Sequence, residues 1–509
     1  MAQEEFTDLA LSDEVRLRAI KDEVGASRLY NDDLAPTGPE KRTWNTYNMA
    51  ALWVGMSIVI TTYTLASGLM AAGMNWWQAL LTISLGNIIV LIPMLLNGHA
   101  GTMYGVPFPV FVRSSFGVRG ANFAAVARAL VACGWFGIQT WIGGLALDVL
   151  LTVLYGGWAN LAGHQFATFF IFWGIQVAII LTGIEGIKIF QSFLVAPLLV
   201  VGSIALLIWG FSAGGGVSNV FTSSAQLQQG STPFWALFWP GLAANVGYWI
   251  TLSLNIPDFT RFAKSQRAQV VGQALGLPST MTAFSFVGIA VTAATVVAFG
   301  EPIWDPVQLI ARIAGPVVLV IAMIAIVVAQ ISINMAANVV SPSNDFSNLA
   351  PRHISFRTGS LITVFIGVVS FPWGLYQSVG AYVFTWLVGY GSLLGAIGAV
   401  MIADYWILRR RLELADLYKI EGRYTYSGGW NWRAIVAVLV GVIPVIPGFL
   451  RAATTPNFSG VLEDPTFIEG LYNYGLFFTF FVAGAAYLLL STIPGRAPEG
   501  AEEWKATPE

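Results

Sequence analysis

Apolar residues come in long runs along nearly the whole chain, separated by short polar stretches. A helix needs about 20 mostly apolar residues to cross a bilayer. Runs of that kind lie near 46–71, 75–97, 122–152, 165–184, 189–212, 232–255, 276–299, 314–342, 357–374, 378–407, 432–450 and 470–492. They predict an all-α polytopic membrane protein with twelve transmembrane helices, its partner the lipid bilayer itself. The connections inside 165–212 and 357–407 are short, so those two splits are the least sharply drawn. Residues 1–44 are polar and hold no apolar signal-peptide core. They read as a mobile cytoplasmic tail that ends in an ordered lead-in, Asn31-Asp32-Asp33-Leu34-Ala35-Pro36. Residues 493–509 read as a second cytoplasmic tail.

Charge gives the orientation in the cell membrane. With the N-terminus inside, the inner segments take every lysine and arginine except three. Arg312 and Arg451 fall outside, and Arg128 lies within the third run. This is the bias expected of cytoplasmic loops. One missed run would throw all later positive charges outside, so the bias also supports an even count.

Composition narrows the function. Hydrophobic residues are 56% of the chain and charged residues 10%, against about 25% charged in soluble domains. That excludes a soluble enzyme and a disordered chain. A net charge of −2 offers no basic surface to nucleic acid. Cys133 is the sole cysteine, and His99, His164 and His353 are far apart, so neither a disulfide framework nor a histidine ligand cluster is expected. No run carries a His or carboxylate pair at helical spacing, which argues against an embedded enzyme or a cofactor. No ring of repeated filter residues points to a channel. The expected activity is transport.

A transport site needs polar groups at mid-membrane, and free backbone there is tolerated only where protein or a cavity encloses it. Run 1 contains Trp53-Val54-Gly55-Met56-Ser57 and run 6 contains Trp239-Pro240-Gly241, followed by Asn245-Val246-Gly247-Tyr248-Trp249. Pro240 removes a donor and two glycines follow, so run 6 is expected to be broken, like run 1. Breaks five runs apart suit an inverted repeat, with the site where the broken helices meet. Glycines serving only close helix packing are the alternative.

In run 3, Trp135 and Gln139 are four apart and share a helix face. An indole beside a primary amide suits a flat heterocycle: the ring stacks, and the amide offers a donor and an acceptor. In run 8, Gln330, Asn334 and Asn338 repeat every four residues beside Ser332. Interhelical hydrogen bonding is the plain reading for Asn334 or Gln330. Ionisable groups are sparse at that depth, which favours a neutral substrate over an amino acid or organic anion.

Several stretches resemble the nucleobase–cation symporters of the first group, a family that includes hydantoin, allantoin, uracil, cytosine and purine transporters. They are Asn31–Pro36 with Lys41-Arg42-Thr43-Trp44, Leu96-Asn97-Gly98-His99-Ala100-Gly101, Gly105-Val106-Pro107-Phe108-Pro109-Val110, and Trp135 to Trp141. Asn255-Ile256-Pro257-Asp258-Phe259-Thr260-Arg261-Phe262, Ala336-Ala337-Asn338 to Ser341-Pro342, and Asp404-Tyr405 continue the series in order. The resemblance is nearest the allantoin, uracil and hydantoin branch. It implies a leucine-transporter-like fold: repeats at 45–212 and 232–407, plus two extra helices at 432–492. It implies secondary active uptake by alternating access, with runs 1, 2, 6 and 7 rocking against runs 3, 4, 8 and 9.

The same resemblance implies roles for residues. Trp135 and Trp249 would be the aromatic walls, Gln139 and Asn338 the amides on the ureide edge, and Tyr248 a backbone acceptor. In the sodium-coupled members of the family a cation would meet the carbonyls of Gly55, Ile58 and Ala329 and the hydroxyl of Ser332; proton coupling, weak sodium binding and no coupling all stay open. Two departures stand out. Ile333 replaces an expected hydroxyl at the cation position, and Val59 replaces an amide that relatives extend to the substrate. Transport of amino acids or amines on the same scaffold, or a non-transporting sensor or channel, is the alternative reading. The particular heterocycle, the ion and the oligomeric state are not legible in the sequence.

Overall fold

The computed structural model describes residues 20–182, 196–227 and 232–493. Its described residues are helical, with isolated bridges but no strand. In chain order the main helices are α1 (Thr46–Ser57), α2 (Ile60–Ala71), α3 (Trp76–Tyr104), α4 (Ala121–Leu154), α5 (His164–Thr182) and α6 (Ala196–Ala213). They continue with α7 (Phe234–Asn255), α8 (Gln266–Phe299), α9 (Pro316–Asn338), α10 (Val340–Leu349) and α11 (Phe356–Val369). The last three are α12 (Gly380–Arg409), α13 (Trp432–Thr454) and α14 (Phe467–Ser491). Each sequence-predicted run coincides with a helix or a bent helix pair. Eight helices are long and apolar enough to cross a membrane, or ten if each bent pair is one span. The other two runs correspond to α7 and the shorter α11. The start of the fifth run at residue 189 and the outermost parts of both tails lie outside the described residues.

Local chemistry sets the helix ends. Asn45 with Asn48 and Asn75 with Gln78 form reciprocal capping boxes that start α1 and α3. Ser265 caps α8 and Ser355 caps α11. α3 stops at Gly105 and α8 at Gly300, both left-handed.

The helices sort into two packing groups. α8 lies along α1, α2 and α3, and α3 packs on α7. In the second group α4 is the hub for α5, α9, α10 and α11. α12 packs on α7 and on α14, and α14 holds α13. These groups match the mobile and static sets expected from the family resemblance. Exposed Ile88 and Ile92 on α3, and Val317, Val318 and Ile321 on α9, form apolar outer surfaces suited to lipid.

Two expectations change. Run 1 is broken as expected, with α1 and α2 meeting at 58°. Run 6 is not: α7 is one continuous helix containing Pro240. Its glycines serve packing instead. A Cβ on Gly241 would lie 3.0 Å from Met74 Cε, and one on Gly247 would lie 2.6 Å from the Leu387 carbonyl oxygen of α12. Asn245 Nδ2 donates to the Gly241 carbonyl at 2.8 Å, giving that stretch an added tie. Every residue of α7 from Pro240 to Asn255 is buried, so protein rather than lipid surrounds it.

Order also begins well before Asn31. Ile20 and Val24 are buried, and residues 20–44 form a strap across one end of the molecule. Arg113 Nη2 donates to the Leu29 carbonyl at 3.0 Å. Asn31 Nδ2 donates to the Pro351 carbonyl at 3.1 Å, and Tyr418 donates to the Leu34 carbonyl at 2.7 Å. Thr37 N–H donates to the Gly105 carbonyl at 2.8 Å, and Trp44 N–H to the Phe262 carbonyl at 2.9 Å. The strap therefore touches both packing groups.

The Gly247 contact gives a direct test. Gly247→Ala should lower stability by about 1–3 kcal/mol, since the methyl meets rigid backbone. Gly398→Ala is the control, because its Cβ meets only Leu254 Cδ1 at 3.2 Å. Thermal unfolding in detergent checks both, with a clear drop expected for position 247 alone.

Candidate substrate and cation sites

The break in run 1 frees backbone. Ile58 (φ −83°, ψ 76°) ends α1, and Val59 (φ −142°, ψ 156°) is extended. Val59 N–H donates to the Ser57 carbonyl at 3.0 Å, and Thr62 N–H to the Val59 carbonyl at 3.1 Å. The carbonyls of Gly55 and Ile58 thus lose their usual helical donors. α2 also begins mid-molecule, with its partly positive end at the break.

α9 faces this break, but the side chains that meet there are apolar. Val59 clusters with Ala329 and Ile333, and Leu199 and Val328 pack against them. Ser332 is buried one residue away. Of the residues expected to hold a cation, Ala329 lies in this cluster, and Ile58 and Ser332 are sequence neighbours of its members Val59 and Ile333.

Trp135 sits at the centre of the aromatic site. Its Nε1 donates to the Tyr390 hydroxyl at 3.1 Å. Tyr248, Tyr382 and Tyr390 meet its ring edge-on, with centroids 5.2, 6.0 and 6.4 Å away. The Tyr248 hydroxyl lies 2.8 Å from Thr61 Oγ1 and 3.1 Å from Thr62 Oγ1. Tyr382 donates to the Thr61 carbonyl at 3.1 Å. Thr61 thus links α2, α7 and α12 beside Trp135.

Trp249 continues the chain of rings. It is edge-on to Tyr248 at 4.9 Å and to Trp53 of α1 at 5.2 Å. Trp249 Nε1, Trp53 Nε1 and Gln139 Oε1 are buried without hydrogen-bond partners. Leaving such groups unpaired in an apolar interior costs about 1–3 kcal/mol each. A ligand that presents acceptors to the indoles and a donor to the amide would remove that cost.

The amides of α9 divide by role. Asn334 Nδ2 reaches the Phe136 carbonyl at 3.1 Å, Thr140 Oγ1 at 3.1 Å and Gln176 Oε1 at 2.8 Å. It joins α9 to α4 and α5, as the plain reading expects. Asn338 Nδ2 donates to Asn334 Oδ1 at 2.9 Å, one turn along the same face. Gln330 Nε2 is buried without a partner.

Sequence reasoning found Trp135, Tyr248 and Trp249, which the structure joins through their rings. It missed Trp53, Thr61, Thr62, Tyr382 and Tyr390. The adjacent threonines just past the break were the available signal; the two tyrosines on α12 had none. It also missed a buried polar layer two turns from the site. Arg128 Nη1 pairs with Asp345 Oδ2 at 3.1 Å, and neither side chain is exposed. Phe108 N–H donates to Asp258 Oδ1 at 2.8 Å, and Asn255 Nδ2 to Ser341 Oγ at 2.5 Å. Several atoms of this layer have no partner: Arg128 Nε and Nη2, Asp345 Oδ1, Asp258 Oδ2, Asn255 Oδ1 and Ser253 Oγ. Among the described residues no group of three His, Cys, Asp or Glu is placed to hold a metal ion.

Comparison with known proteins gives the family of the chain. A family model described as permease for cytosine/purines, uracil, thiamine, allantoin matches residues 36–475. The purine-uracil permease NCS1 of Arabidopsis thaliana is 41% identical over 479 residues, covering 92% of this chain and 78% of the relative. The allantoin permease of Bacillus subtilis is 41% identical over 429 residues, covering 82% of this chain and 87% of that protein. Among solved structures, Mhp1, a nucleobase-cation-symport-1 family transporter in a closed conformation with bromovinylhydantoin bound, aligns with a TM-score of 0.73 at 26% identity. That alignment covers 94% of this chain and 100% of Mhp1. The all-helical fold with its broken first span is therefore of the Mhp1, leucine-transporter-like type. The chain is a permease, not an enzyme, and it belongs to the nucleobase–cation symporter family.

Proposed function

We propose that this protein imports a neutral planar nucleobase or ureide, of the uracil, allantoin or hydantoin type, by alternating access. The observation that carries the reading is the chain of rings from Trp135 through Tyr248 and Trp249 to Trp53, with buried, unpartnered polar atoms on Gln139, Trp249 and Trp53. An aromatic wall gives on the order of 1 kcal/mol beyond area burial. The amides then select orientation, because a ring lacking matching edges leaves them unpaired. Gln139 and Asn338 are the amides assigned to the substrate, and the backbone of Tyr248 is an acceptor. Trp135, Gln139, Tyr248, Trp249, Trp53, Thr61 and Thr62 are all uncharged, so the aromatic site as described offers no charge partner to an amino acid or amine.

In the transport step, α1, α2, α3, α7 and α8 rock against the group centred on α4. A contact between the two groups that must part is Asn255 with Ser341. The boundaries 45–212, 232–407 and 432–492 suit two five-helix repeats and two added helices. Both termini, and with them the strap, are assigned to the cytoplasmic face of the cell membrane by the distribution of lysine and arginine.

The coupling ion is read as a proton rather than sodium. The carbonyls of Gly55, Ile58 and Ala329 and the hydroxyl of Ser332 would be the sodium donors. Val59, Ala329 and Ile333 form a buried apolar cluster beside these positions. A cation stripped of water needs a full oxygen shell, and this set does not provide one.

Two outcomes test the reading. Trp135→Ala should abolish uptake of tritiated uracil or allantoin into proteoliposomes while the protein still inserts. Gln139→Ala should weaken binding by about 1–3 kcal/mol, roughly five- to a hundredfold. Normal affinity in either variant refutes the assigned role. Wild-type uptake should be indifferent to sodium and driven by an inward proton gradient, and Ile333→Thr should introduce sodium stimulation. Sodium-driven uptake by the wild type would overturn the proton assignment.

A further inference from the structure

The Tyr248 side chain occupies a place that the backbone role leaves unexplained. It projects from α7 to within 5.2 Å, ring centre to ring centre, of the Trp135 indole at 82°. Three contacts hold it there. Its hydroxyl is bound between Thr61 and Thr62 of α2. Trp249 stands edge-on behind it at 4.9 Å. Trp135 itself closes the third side. The phenol cannot withdraw toward α2 without losing both threonine oxygens, nor toward α1 without displacing Trp249, which rests on Trp53. A buried tyrosine with its hydroxyl paired is a rigid wall.

We propose that Tyr248 is a specificity-determining residue that limits the ring accepted on Trp135 to a single heterocycle. This inference rests on the reading of Trp135 as the stacking wall. A five- or six-membered ring with two carbonyl or N–H edges shares the indole with the phenol. A fused second ring, or an aryl substituent, overlaps the phenol and is rejected. The threonines are positioning residues: they set where the phenol stands, and so how wide the place on Trp135 is. Selection of this kind works by collision and not by added attraction.

The experiment is a binding series on the purified full-length protein, read by tryptophan quenching. The probes are uracil and hydantoin as single rings, with hypoxanthine and 5-benzylhydantoin as bulky ones. The wild type should prefer the single rings. Tyr248→Ala and Tyr248→Leu should each raise the ratio of bulky to single-ring affinity by about tenfold or more, and Tyr248→Phe by less than about threefold. Thr61→Val with Thr62→Val should move the ratio in the same direction as Tyr248→Ala, by a smaller factor, because the ring remains but is untethered. An unchanged ratio in both Tyr248→Ala and Tyr248→Leu overturns the proposal. So does equal loss of both probe classes in those variants at unchanged thermal stability, which would make Tyr248 a general wall. A wild type that binds neither class overturns the transport reading and this inference with it, whereas single-ring binding with a ratio insensitive to position 248 overturns this inference alone.

Discussion

A peptide group in lipid must find its hydrogen bonds within the protein, and this single requirement organises the molecule. Helices meet it along the described spans, and at Ile58 and Val59, in one of the two bent pairs, α1 gives way to α2. Free carbonyls at that depth are tolerable only when other helices enclose them. α7 and α9 provide the enclosure, and both are consequently unlike ordinary lipid-facing helices. α7 is buried from Pro240 to Asn255, which encloses its polar residues with Tyr248 and Trp249, while Trp235 and Trp239 near its start are exposed. α9 presents Val317, Val318 and Ile321 outward, while its amides turn toward α4. The rings of Trp135, Tyr248, Trp249 and Trp53 form a connected series beside the break.

The same constraint accounts for the two packing groups. Polar ties such as the one centred on Asn334 lie within a group and hold it rigid. Ties between groups are fewer and each rests on one or two bonds, such as Asn255 to Ser341. Rigid units joined by sparse contacts can change their relative position without unfolding either. Thr61 is the exception in its density of partners, since α7 and α12 both reach it. Its place beside Trp135 ties the state of the aromatic site to the position of α2.

Much of this was legible in the sequence. Apolar runs marked the helices, because length and hydropathy suffice for that. The break at Gly55 to Val59 was legible as a cluster of small and polar residues. Pro240, Gly241 and Gly247 gave the same signal for α7 and meant something else. Glycine at a break and glycine under a neighbouring helix look alike in one dimension, and only the contact with Leu387 separates them. Trp135 could be named from its company with Gln139, whereas Tyr248 and Trp249 were named through the family resemblance. Tyr382 and Tyr390 could not, since their significance lies in reaching Thr61 and Trp135 from a distant part of the chain. The polar layer around Arg128 was missed because Asp345 lies more than two hundred positions away.

The unpartnered atoms around Arg128, Asp345 and Asp258 have a thermodynamic consequence for how this half of the protein parts. Separating well-matched surfaces forfeits their bonds before water can replace them. Here much of that loss is already present in the shut state. Incoming water would wet dry guanidinium, carboxylate and hydroxyl groups at once, offsetting the exposure of nearby apolar area. A seam with these unmatched atoms would therefore part at lower cost than one whose polar atoms were all paired.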